Sequence, residues 1–144
     1  MATFRPGKPR WRLRRTTDFT LTGGAHDIPW QVADFDDEAE WDNSTKITIQ
    51  RSGLYVVAFH LSLGTTASNG TPTVYVGVNA TTFTQLRGST NTLSQGLGLT
   101  TLLELATGDT VIVGAQRHSS ASSTLQGVNC GFSGTRIGPV RWTS

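Results

Sequence analysis

The sequence predicts a single all-β domain, a sandwich or barrel of short antiparallel strands. Its 144 residues fit one domain. Apolar and polar side chains alternate in short segments, and turn residues separate these segments about every 8–12 positions. Only 15% of the residues are charged and 16 are glycine, and no segment has the period of an amphipathic helix. These observations together favour short strands with tight turns over helices.

The first segment of the chain is strongly basic. Six of the twelve basic residues lie within the first fifteen positions, whereas the rest of the chain carries six basic and ten acidic residues. Prolines and like charges disfavour regular structure there, so we predict that residues 1–16 form an extended arm that orders on a partner. The partner-binding residues of this arm are predicted to be Phe4, Arg5, Lys8, Arg10, Trp11, Arg12, Arg14 and Arg15, with Phe4 and Trp11 as apolar anchors.

Strand signals begin after the arm and continue almost to the end of the chain. Residues 54–63 are apolar on both faces, as expected for a central or interface strand. We predict a β domain over residues 17–138 and a tail over residues 139–144. Its eight or nine strands are expected near residues 18–22, 29–35, 45–50, 54–63, 73–79, 83–87, 97–105, 110–116 and 125–137.

An acidic stretch covers residues 34–42. We predict a solvated loop there, because the segment is too short and too charged for a convincing helix. Two other interpretations remain open. The carboxylates are of the type that binds calcium, although their spacing is not that of a calcium loop. They are equally suited to receive the basic arm of a neighbouring subunit.

Three motifs carry a resemblance to a known family. An alternating strand runs into a Gly-x-Tyr turn and a long central strand, a Gly-Asp turn precedes a later strand, and Phe-Ser-Gly lies in the last strand. The motifs are Ile47, Ile49, Gly53, Leu54, Tyr55 and Phe59, then residues 103–109, then Phe132, Ser133 and Gly134. Over residues 17–138 the chain therefore resembles the TNF-like superfamily, including the globular heads of complement-type collagenous proteins. The resemblance implies a jelly-roll β-sandwich.

The resemblance also implies a closed threefold homotrimer whose central strand lines the axis. The residues facing the axis would be Val56, Ala58 and His60. The opposite face of that strand would fill the core. A strand that is apolar on both faces needs a cover for its second face, and a symmetric partner provides one. The core-facing residues of the strand are expected to be Tyr55, Val57, Phe59 and Leu61.

No catalytic constellation is apparent, so we expect a protein that is not an enzyme and has no cofactor or bound metal. The histidines His26, His60 and His118 lie far apart and lack the spacing of metal ligands. The single cysteine, Cys130, lies on a predicted core strand without an obvious activating base, so we expect it to be structural.

The short basic arm, without a collagen-like tract, resembles the TNF-like domains of trimeric bacteriophage virion proteins. We therefore expect a homotrimeric capsid decoration protein, a cement on the outer head surface that holds the major capsid protein through residues 5–15. No apolar run is long enough for a membrane span and no signal peptide is visible. The expected location is the virion, after synthesis in the host cytoplasm.

Two alternatives stay open. In the first, the protein is the receptor-binding tip of a tail fibre or baseplate, with residues 65–71 and 119–124 contacting a host glycan or protein. These loops lack an aromatic platform. In the second, it is a small viral coat protein whose basic arm binds packaged nucleic acid by neutralising phosphates.

Overall fold

Two antiparallel sheets make up the computed structural model, which describes residues 9–21, 24–65, 72–87, 94–117, 123–125 and 127–139. Twelve strands are numbered along the chain. The seven-stranded sheet contains β1 (Arg10–Arg14), β2 (Phe19–Leu21), β4 (Val32–Asp36), β6 (Gly53–Thr65), β9 (Ser94–Leu105), β11 (Ser123–Leu125) and β12 (Gly131–Gly138). The five-stranded sheet contains β3 (Gly24–Asp27), β5 (Ile47–Thr48), β7 (Pro72–Val78), β8 (Thr81–Arg87) and β10 (Thr110–Arg117).

Strand β6 is the centre of the seven-stranded sheet. It pairs with β9 along one edge and with β11 and β12 along the other. The sheet then continues from β12 through β1 to β4, and β2 pairs with β11. In the other sheet β10 pairs with β7 on one edge and with β3 and β5 on the other, and β8 completes the sheet beside β7.

The core lies between the apolar faces of the two sheets. Alternate side chains of β6, β7 and β10 are buried in it, as the period-two pattern predicts. Four aromatic rings occupy one end: Trp11 lies 6.0 Å from Tyr55 and 5.6 Å from Phe132, and Trp30 lies 5.7 Å from Phe132, measured between ring centroids. Such tilted and edge-to-face pairs add to the gain from burial.

The predicted basic arm is wrong for residues 10–14. These residues form β1, which lies inside the seven-stranded sheet between β12 and β4. Trp11 and Leu13 are fully buried in the protein's own core, so Trp11 is not an anchor for a partner. The burial of two large apolar side chains outweighs the repulsion of the charges between them. Phe4, Arg5 and Lys8 lie outside the described residues.

Other predictions need smaller corrections. The acidic stretch is not all loop, because Val32–Asp36 is β4. The predicted closing strand at 125–137 is divided into β11 and β12 by a 3-10 helix at Gly127–Asn129. Residues 66–71, 118–122 and 140–144, which include most of the predicted binding loops and tail, lie outside the described residues. No helix in the described part of the chain is long and apolar enough to cross a membrane.

The turn between β7 and β8 contains an unfavourable residue. Asn79 and Ala80 both have positive φ angles, 51° and 65°, as in a hairpin turn that favours Asn-Gly. The left-handed conformation destabilises the folded protein by about 1–2 kcal/mol when the residue is alanine, and a glycine there would remove part of this cost. We therefore expect Ala80→Gly to raise the free energy of unfolding by about 0.5–1 kcal/mol in urea titrations. Ala106→Gly, at an exposed position without positive φ, should not stabilise the protein.

Candidate interaction surface

The residues predicted to face a trimer axis lie together on the outward face of β6. Val56 and Ala58 are half-buried and His60 is exposed. Tyr55, Val57, Phe59 and Leu61 point the other way and are buried in the core. The predicted division of this strand into two faces is therefore confirmed, whereas assembly through Val56, Ala58 and His60 stays a prediction.

The strand register extends this face into three parallel rows. Residues that pair directly across an antiparallel sheet lie on the same face. Each row runs from β1 through β12 and β6 to β9, and we call the set the outward rows. They are Arg10, Thr135, Val56 and Leu102; Arg12, Ser133, Ala58 and Thr100; and Arg14, Gly131, His60 and Gly98.

The chemistry of the outward rows changes across the sheet. Guanidinium groups line the β1 side, and short polar side chains follow on β12. On the β9 side the apolar side chain of Leu102 is 59% exposed. Large exposed apolar side chains on a half-buried apolar strand are typical of a surface that another protein covers.

The basic residues of β1 are paired within the chain. Arg10 Nε lies 2.6 Å from Asp37 Oδ2, and Arg14 Nε lies 2.8 Å from Asp34 Oδ1. Arg12 Nε is 3.6 Å from the second oxygen of Asp34. Three cations thus share two carboxylates, and the acidic stretch contacts basic residues of its own chain. A partly neutralised surface releases fewer counterions from a phosphate backbone, which disfavours the nucleic-acid alternative.

An open groove of about 700 Å³ crosses the outward rows near His60. Glycines border this side chain on both neighbouring strands. A Cβ atom at Gly131 would lie 2.6 Å from His60 Cε1, and one at Gly98 would lie 3.2 Å from the carbonyl oxygen of Phe59. Val128, which is 76% exposed, stands at the rim. The absence of a side chain at Gly131 therefore lets the His60 ring lie across β12, at the wall of the groove.

Arg15 serves the fold and not a partner. Its side chain is nearly buried and donates hydrogen bonds to the carbonyl oxygens of Pro29, Thr17 and Asp18. Burial lowers the pKa of its guanidinium group. The prediction that Arg15 contacts a partner is therefore wrong, because its donors are used to connect two loops of its own chain.

Cys130 is buried, as expected for a structural cysteine. Burial raises the pKa of its thiol, which keeps the sulfur protonated and weakly nucleophilic at neutral pH. Within the described residues, no group of three His, Cys, Asp or Glu side chains is placed to hold a metal ion.

One carboxyl group of the acidic stretch is buried. Glu40 is 2% exposed, and its Oε2 accepts a hydrogen bond of 2.8 Å from the backbone N–H of Gln50. Its Oε1 is buried without a hydrogen-bond partner among the described residues. Desolvation raises the pKa of Glu40 from its ordinary value of 4.5 to about 7, with smaller contributions from Asp36 and Glu38.

The raised pKa of Glu40 predicts a pH-dependent stability. The folded protein holds this proton more tightly than the unfolded chain, so its contribution is complete below pH 4.5 and is lost as the pH rises to about 7. The loss is at most about 3 kcal/mol. Glu40→Gln stays neutral, so the variant should match the wild type in urea at pH 4.5 and exceed it at pH 8. Glu104→Gln makes the same substitution at an exposed position and is the control for the change of side chain. Equal pH profiles for Glu40→Gln and the wild type would contradict the prediction.

Solved structures with a similar fold include a complement globular domain and a TNF protein. The globular domain of zebrafish complement 1qA protein has 16% identity and a TM-score of 0.66, and the match covers 92% of this chain and 99% of that one. Eiger TNF from S. frugiperda has 13% identity, a TM-score of 0.70 and coverages of 96% and 98%. Murine APRIL has 11% identity, a TM-score of 0.67 and coverages of 90% and 99%.

The likeness to these solved structures lies in the fold. No protein-family model matches the chain, and no curated protein matches it significantly. At identities of 11–16% the structural similarity establishes the architecture alone. It agrees with the resemblance that the motifs indicate and with the two packed sheets described above. The protein therefore has the TNF-like jelly-roll fold of the TNF and complement globular-head domains.

Proposed function

We propose that the protein is a non-enzymatic homotrimer that associates through the outward rows. The observation that carries this proposal is an apolar part of the outward face of the seven-stranded sheet. There the half-buried Val56 of β6 lies beside the exposed Leu102 of β9. A sheet face that meets solvent is normally polar. The resemblance to the TNF-like superfamily implies a threefold arrangement, and a closed ring of three copies would cover this face in every subunit.

Light scattering on the purified protein tests the assembly. We expect a mass of about 46 kDa, three times the 15.5 kDa chain. Ala58→Arg places a long cation in the middle of the outward rows. The variant should be a folded monomer, because a trimer would bury this charge without an opposite charge beside it. Ala25→Arg makes the same change at an exposed position of β3 in the other sheet and should leave a trimer. A monomeric wild type, or a trimeric Ala58→Arg variant, would overturn the proposed interface.

We further propose that the trimer is a structural component of a bacteriophage virion, a decoration protein bound to the major capsid protein on the outer head surface. The proposal rests on the likeness to trimeric virion domains and on the basic start of the chain. Since β1 belongs to the sheet, the part of the predicted arm left for docking is residues 1–8, with Phe4, Arg5 and Lys8. Three such segments acting together would gain avidity.

Co-sedimentation of the purified trimer with capsids that lack this protein tests the proposed role. We expect the trimer to sediment equally with DNA-filled and empty capsids, and a chain lacking residues 1–8 to stay a trimer but bind at least about tenfold more weakly. Affinity for free DNA that falls steeply with salt would support the coat-protein alternative instead. Binding to host cells that persists without residues 1–8 would favour the receptor-binding alternative.

A further inference from the structure

A second concave surface lies on the outward face of the five-stranded sheet, away from the outward rows. It is a recess of about 320 Å³, formed entirely within one chain. Strands β3, β7 and β10, together with the turn between β7 and β8, contribute its walls. The lining side chains with polar groups are Asp27, Lys46, Tyr75, Asn79, Thr81 and Thr110, and Ile112 is the large apolar one.

Two glycines allow the floor of the recess to form. Gly114 pairs with Tyr75, and a Cβ atom there would lie 2.2 Å from Cζ of the Tyr75 ring. Gly77 pairs with Ile112, and a Cβ atom there would lie 3.0 Å from Cδ1 of Ile112. Both large side chains therefore lie flat across the neighbouring strand. Glycine inside a strand weakens the sheet and often marks a place where a ligand approaches closely.

The polar groups of the recess surround this apolar floor. Asp27 and Tyr75 pair with Gly114 from opposite sides, so the ring that covers Gly114 extends between the two outer strands toward Asp27. Burial and the nearby Asp27 carboxylate raise the pKa of the Tyr75 phenol, which therefore stays a hydrogen-bond donor. The carboxylate of Asp27 and the ammonium group of Lys46 balance one another, so the recess has no net charge to favour an ion.

We propose that this recess binds a neutral hexose unit of a glycan, whose apolar face lies on Tyr75 and Ile112 while its hydroxyl groups bond to Asp27 and Lys46. An apolar floor with a few polar groups at its edge matches a ring that carries C–H groups on one face and hydroxyls around its rim. The predicted receptor-binding loops lack an aromatic platform, and Tyr75 supplies one on the sheet. The proposal requires no trimer, because one chain forms the whole site.

Saturation-transfer NMR with the methyl glycosides of glucose, galactose and mannose tests the site. At least one glycoside should receive saturation at its ring protons from the wild-type protein. Tyr75→Ala removes the platform and should weaken binding about tenfold. Gly114→Ala lifts the ring from the sheet and should weaken binding several-fold. Asp27 is exposed, so Asp27→Asn should fold normally and should also weaken binding. This variant tests the site even if Tyr75→Ala does not fold.

The controls separate this site from the proposed assembly. Ala58→Arg alters the opposite sheet and should bind the glycoside with unchanged affinity, whether it is a monomer or a trimer. Inorganic phosphate should not displace the sugar. The proposal is overturned if none of the glycosides binds, if phosphate competes, or if Asp27→Asn and Gly114→Ala bind as the wild type does.

Discussion

Trp11→Ala is expected to lower the free energy of unfolding by about 3–5 kcal/mol, the largest loss from a single side chain in this domain. The Trp11 ring is fully buried and packs against Tyr55 and Phe132. Its removal leaves a cavity between two rings that sit on different strands, and the sheet cannot collapse to fill it. Urea unfolding followed by tryptophan fluorescence and circular dichroism would measure the loss.

The neighbouring Arg12→Ala is the control for this prediction. Its side chain is exposed on the other face of β1, so the change should cost less than about 1 kcal/mol. A double-mutant cycle gives a sharper test. A Cβ atom at Gly134 would lie 2.2 Å from the Trp11 ring, so Gly134→Ala should be strongly destabilising alone and much less so with Trp11→Ala. Additive costs would contradict the packing described here, and an unaffected Trp11→Ala variant would restore the interpretation of a free arm.

Gly127→Ala is expected to cost about 3 kcal/mol, the second largest effect. A Cβ atom at this position would lie 1.9 Å from the carbonyl oxygen of Thr17. The Thr17 backbone cannot move away easily, because Gln31 accepts a hydrogen bond from its amide and donates one to its hydroxyl. The Gly127 amide also donates to Asp18 Oδ1 at 3.1 Å, and displacing it would weaken that bond.

A matched glycine provides the control for Gly127→Ala. A Cβ atom at Gly96 on β9 would meet nothing within 4 Å, so Gly96→Ala should stay within about 0.5 kcal/mol of the wild type. Both variants are measured at one protein concentration, because association adds to apparent stability. Equal effects of the two substitutions would show that the contact with Thr17 does not limit the fold.

The central strand and the turns around it could be predicted from the sequence. Residues 54–63 carry apolar side chains on both faces, and this pattern predicts a central strand of the sheet, which β6 is. The alternating residues 110–116 after the Gly-Asp turn likewise form β10. In both segments the local pattern and the burial agree, so no information from distant residues is needed.

Strand β1 shows why the rest could not be predicted. Arg10–Arg14 alternates strictly, which is a strand signal, but its charge and the nearby prolines favour an extended arm. The segment forms a strand because its arginines pair with carboxylates of the acidic stretch and because Trp11 packs against Phe132. These contacts come from distant parts of the chain. The recess around Tyr75 could not be predicted for the same reason. Its two glycines lie opposite Tyr75 and Ile112 only once β7 and β10 have paired.

The pairing of β1 with β12 also affects how the protein is made. The ribosome completes β1 first and β12 last, yet Trp11 pairs with Gly134, and the Arg136 amide donates to the Pro9 carbonyl at 2.9 Å. Until β12 is made, β1 can pair only with β4, and its other edge has no partner strand. Such late, long-range pairing slows folding and exposes the chain to aggregation. Prematurely terminated chains would lack Phe132 and leave Trp11 partly uncovered, which makes these chains substrates for chaperones and proteases before any subunit can assemble.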